Sequence, residues 1–181
     1  MSTATTPDAL SDPGLDRRYS YGSKLRSTPF AHVWAAHDSQ LDRDVTFTLL
    51  RDELVDDPAA IRLLELSIAT AADLDHPGIA RVYDAGVVER DGHRLPWAVG
   101  EAVTGPSIDQ YERPGGLSDD QWAGIVLSIA DQLAATMQYT HATGTVHGNL
   151  GPATVRLTGS DPLRPVVKVV DFGPQPAELL V

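Results

Sequence analysis

The 181-residue chain has no cysteine. Disulfides and thiolate metal sites are therefore excluded outright. Cations are scarce as well: 14 Lys and Arg stand against 25 Asp and Glu, for a formal net charge of -11. Such a chain is a poor partner for nucleic acid or an anionic membrane surface. It repels phosphate-rich ligands unless a local basic site intervenes. No apolar run approaches the ~20 residues that span a bilayer. The opening Met1–Leu15 is chiefly Ser, Thr, Pro and Asp, without the apolar core of a signal peptide. Those two absences make the cytoplasm the expected location. There is no internal repeat and no zinc-ligand spacing, since the six His residues lie scattered among strands and loops.

What is present suits one domain: 42% of the residues are hydrophobic, enough for a substantial core. Residues 1–17 read as a disordered polar tail that cannot bury enough surface to order itself. Tyr19–Leu25, Phe30–Ala36 and Val45–Leu50 read as three strands, the last dense in β-formers. Asp57-Pro58 predicts a helix start, and Ile61, Leu64, Ile68, Ala71 and Ala72 then recur at helical spacing up to Leu74. Ile79–Ala85 and Leu95–Val99 read as two further strands, with a turn at Asp91-Gly92. Ser118 and Gln121 form a capping box, and the buried stripe behind it comprises Trp122, Ile125, Val126, Ile129, Leu133 and Met137. Nearer the C-terminus, two apolar runs flank a polar loop, His147-Gly148-Asn149-Leu150-Gly151-Pro152, and a later run ends in Asp171-Phe172-Gly173.

That loop and turn resemble the catalytic loop and metal-binding turn of eukaryotic-type serine/threonine protein kinases in their actinobacterial style, and the resemblance runs from about Arg18 to Gly173. It implies an α+β, protein-kinase-like fold: an N-terminal lobe over 18–100, a hinge over 101–106 and a partial C-terminal lobe over 107–181. His147, Pro152 and Asp171-Phe172-Gly173 match the family's motifs. Where the family has Arg, a base Asp, Lys and a metal-binding Asn, this chain has Gly148, Asn149, Gly151 and Thr154. Its phosphate turn, glycine-rich in the family, is Arg26-Ser27-Thr28-Pro29-Phe30-Ala31, and Pro29 removes one N–H donor. The strand Lys is Thr48, and the helix Glu that would pair with it is Ser67. Glu65, two residues away, faces elsewhere around the helix. Gly100 takes the gatekeeper place, and Arg156 stands where an aliphatic residue normally lies beneath the adenine. Packing positions between the lobes are retained as Ala71, Val82, His147 and Phe172.

The resemblance, with these departures, implies a pseudokinase. A lost general base forfeits about 10²–10⁴-fold, and each lost electrostatic contact about 10²–10³. No catalytic residue and no confident nucleotide contact is expected. Asp171 is the single candidate metal ligand, either on Mg²⁺ or bonded within its own turn. Cofactors are expected to be absent, with weak binding of ATP and Mg²⁺ through the hinge backbone as the alternative. The leading expectation is an inactive signalling module that works through a protein partner: an active kinase, a phosphothreonine-reading domain, or a second copy. The others are a weak ATP-binding switch and a residual or atypical kinase. The chain stops eight residues past Gly173. A fragment or a partner-dependent protein is therefore expected, with the stripe from Trp122 to Met137 left partly uncovered.

Overall fold

The computed structural model describes residues 13–90 and 92–173. The expectations for residues 1–12, for Asp91 and for the segment after Gly173 lie outside them. The last part of the expected disordered tail is instead a short helix, α1 (Pro13–Arg18), because Leu15 packs against the core of the first sheet.

Five antiparallel strands follow: β1 (Tyr19–Ser27), β2 (Ala31–Asp38), β3 (Arg43–Leu50), β4 (Val82–Arg90) and β5 (His93–Glu101), in spatial order β1-β2-β3-β5-β4. Alternation along β3 sends Val45, Phe47 and Leu49 into the core and turns Thr46 and Thr48 to the other face. Tyr19, Tyr21 and Trp97 pack their rings around Phe47. The sheet curls so far that its edges meet. Arg18 bonds Asp38 at the end of β2 and Asp84 on β4, both at 2.9 Å, and the Tyr19 hydroxyl donates to Asp84 at 3.2 Å. The Arg18 guanidinium holds the Asp38 carboxyl below its usual range, while burial and then the charge of Asp84 push the Tyr19 hydroxyl up to about 12.

Helix α2 (Pro58–Ala72) starts as the sequence predicts: the Asp57 carboxylate accepts from the amides of Ala59 and Ala60, with Pro58 at the first position. Ala60 and Leu64 bury it against the sheet. Helix α3 (Asp119–Ala142) opens on the expected Ser118–Gln121 capping box. A two-stranded sheet, β6 (Val155–Thr158) and β7 (Val166–Val169), lies against it.

The stripe on α3 is partly covered, as expected: Ile125 and Ile129 are buried, while Trp122, Leu133 and Met137 are partly buried against a cluster that includes Val155, Leu157, Val167 and Val169. Three other expectations change. Val126 is not in that stripe but 44% exposed, beside Leu127 at 69%. Ile79 does not begin β4; it bridges in parallel to Val169 and belongs to the lower cluster. Glu101, expected in the hinge, ends β5 opposite Val45. Among the described residues, no helix is long and apolar enough to cross a membrane.

Candidate functional site

Between the curled sheet, α2 and the Asp-Phe-Gly turn lies a cavity of about 130 Å³, and Thr48, Ser67, Asn149 and Asp171 all line it. Four of the five residues singled out by sequence thus converge on one cleft. Thr154 does not. It is buried, and its hydroxyl closes its own loop by accepting from the Gly151 amide and lying within hydrogen-bond distance of the Asn149 and Gly151 carbonyls. The loop holds its shape through Thr154, which leaves nothing of that side chain for a metal.

Ser67 faces the Asp-Phe-Gly turn at close range. A Cβ added to Gly173 would fall 2.0 Å from its Oγ, and Gly173 has φ 141°, a backbone state suited to glycine. Glu65 is exposed on the far side of α2, as its spacing predicts. Gly100 is likewise forced by packing, since a Cβ there would meet the Arg81 carbonyl at 2.9 Å.

The turn between β1 and β2 spends its own hydrogen-bond donors. The Thr28 amide donates to the Ala31 carbonyl at 2.8 Å, and the Phe30 and Ala31 amides both donate to the Thr28 hydroxyl. Pro29 has no N–H to give. None of the donors from Thr28 to Ala31 is therefore left facing the cleft.

Arg26 crosses that cleft. Its Nε and Nη2 reach the two carboxylate oxygens of Asp171 at 2.9 and 2.7 Å, a bidentate and largely buried pair. Two irregularities in the β1–β2 register, between Tyr21 and Lys24 and between Lys24 and Arg26, re-aim the strand so that Arg26 points inward. Asp171 sits at φ 58°, unusual outside glycine, and the pair holds it there. The carboxylate that is the candidate metal ligand meets a guanidinium here. Sequence reasoning missed Arg26; the available signal was an arginine at the mouth of a turn that had lost its glycines.

His147 is a packing residue, as expected. Its ring lies 4.3 Å from that of Phe172; Ala71 packs on the cluster that holds Phe172, and Val82 lines the same cavity. The Asn149 amide donates to Nδ1 at 3.1 Å, which fixes the proton on Nε2, where it is donated to the Val170 carbonyl at 3.0 Å. Burial holds the ring's pKa below the usual 6.5, against the pull of Val170 and the Asp171 charge.

The two lobes are fastened to each other. Lys168 on β7 pairs with Glu101 at the end of β5 at 2.8 Å, the Ala80 amide donates to the Val169 carbonyl at 3.0 Å, and the Val169 amide donates to the Gly78 carbonyl at 2.8 Å. Gly105 in the linker lies on β6 so closely that a Cβ would overlap the Leu157 carbonyl at 1.6 Å.

No family model matches the chain. The serine/threonine-protein kinase PknB of Mycobacterium leprae is 32% identical over 169 residues, 93% of this chain and 25% of that protein. A probable serine/threonine-protein kinase of Streptomyces coelicolor is 34% identical over 160 residues, 88% of this chain and 23% of its own length. The chain thus spans about a quarter of the length of these curated relatives. A solved structure of the Mycobacterium tuberculosis PknI kinase domain superimposes with a TM-score of 0.62 at 24% identity, covering 86% of this chain and 58% of that one. The chain is thus a homologue, over most of its own length, of bacterial serine/threonine protein kinases, and its fold is protein-kinase-like.

Proposed function

We propose that this kinase-like module transfers no phosphate and acts in signalling through contacts with another protein. The Arg26–Asp171 pair carries the reading, because both oxygens of the one carboxylate retained from the metal-binding set are already engaged. The residues present do not fit a metal–nucleotide complex: Thr154 is folded into its loop, Thr48 and Ser67 bear no charge, and the β1–β2 turn has no donor left for phosphate. Val126 and Leu127, exposed side by side on α3, give a protein partner an apolar surface to meet.

The reading is tested with radiolabelled γ-phosphate and Mg²⁺ or Mn²⁺. No incorporation is expected, either by the protein as it stands or by Arg26→Ala, since freeing Asp171 restores neither the base nor the strand Lys. Incorporation that disappears in Asp171→Ala would overturn it. A second reading, a switch that binds ATP weakly without transfer, rests on the groove beneath the linker remaining open. Millimolar ATP that raises the melting temperature would favour that switch.

A further inference from the structure

Beneath the linker, on the side of the cleft away from the Asp-Phe-Gly turn, lies a second cavity of about 490 Å³, within the range of small-molecule sites. It is walled by the first three strands above, with His37 and the Asp44 carboxylate among their lining residues, and by Ala102, Val103 and Thr104 of the linker, and Arg26 and Arg156 also line it. Arg26 is spent on Asp171. Arg156 is not: among the described residues it makes no ion pair, and its Nε is buried with no hydrogen-bond partner in the protein. A buried guanidinium N–H without an acceptor is costly, and a native fold that keeps one calls for an explanation. Burial and then the neighbouring Arg26 charge disfavour the Arg156 cation, and the carboxylates of Asp171 and Asp109 offset this only in part.

We propose that this groove binds a small organic carboxylate with a flat apolar body, its carboxylate on the Arg156 guanidinium. The planar fork of arginine matches a carboxylate in two parallel hydrogen bonds. Val103 and Ala102 offer an apolar wall to the body of such a ligand, and the Thr46 hydroxyl adds a polar edge. The charge falls beneath the linker, at the opposite end from the closed β1–β2 turn, so the site selects an anion placed differently from a nucleotide's phosphates. The inference is independent of whether the module transfers phosphate.

The test uses isotope-labelled whole protein titrated with benzoate and with its neutral near-isostere benzamide, followed by amide chemical shifts. Saturable shifts at residues 102–104 are expected with benzoate, at an affinity about tenfold or more above benzamide. Arg156→Leu should abolish that preference and, relieved of its unpaired charge, melt higher than the parent. Arg156→Gln is the second variant should Arg156→Leu fail to fold, and it too should lose the preference. The proposal is overturned by no saturable shift, by equal response to benzamide, by retained preference in either variant, or by inorganic phosphate binding as tightly as benzoate.

Discussion

His147 shows how a single side chain becomes sensitive to pH. Its ring accepts one backbone hydrogen bond and donates the other. A second proton would set an N–H against the Asn149 amide, and burial opposes the charge as well. With the folded pKa below the unfolded 6.5, the unfolded chain takes the proton first as pH falls. The stability that depends on a neutral His147 is complete above about 6.5 and is lost as pH drops towards the folded value. In denaturant titrations, His147→Gln should be the less stable protein at about pH 7.5, and the gap should narrow by about pH 5. A gap that stays constant would show that the ring's protonation does not matter. The exposed His37, whose pKa is raised by Asp44, drifts the opposite way, which is why the difference between variants is the useful reading.

At the scale of elements, α3 does more than present an apolar stripe. Gln132 reaches β7 as if it were a strand: its amide group donates to the Pro165 carbonyl at 3.0 Å and its oxygen accepts from the Val167 amide at 3.0 Å. Val167 is buried, so Gln132→Ala should cost about 1–3 kcal/mol in denaturant unfolding. A loss near zero would mean that solvent reaches those groups. This contact was illegible in the sequence, because a polar helix position between Asp131 and Leu133 gives no hint of a distant backbone partner. Thr136 and Thr140 escaped notice for the same reason: each returns its hydroxyl to its own helix at Gln132 and Met137 and is then buried like a small apolar residue. Caps and strands were readable because their signals are local, as with Asp57 before Pro58 or the alternation along β3. The convergence of Thr48, Ser67, Asn149 and Asp171 was readable through family resemblance. The Arg26–Asp171 pair was not, since 145 residues separate its partners and register shifts in β1 set its direction.

Across the whole molecule, the lobes share backbone hydrogen bonds as well as the Lys168–Glu101 pair. The amides of Ala80 and Val169 lie at that junction, beside Ile79 and Val169, which are both inaccessible to solvent. In hydrogen-exchange measurements these two amides should be protected about as strongly as the central strand β3. Exchange on the timescale of surface loops would indicate that the lobes open independently.

The parallel bridge between Ile79 and Val169 has a thermal consequence. A piece of chain that leaves the upper sheet pairs with the lower one before returning, so neither half can loosen without stripping amides from its neighbour. A calorimetric scan should therefore trace one endotherm rather than two.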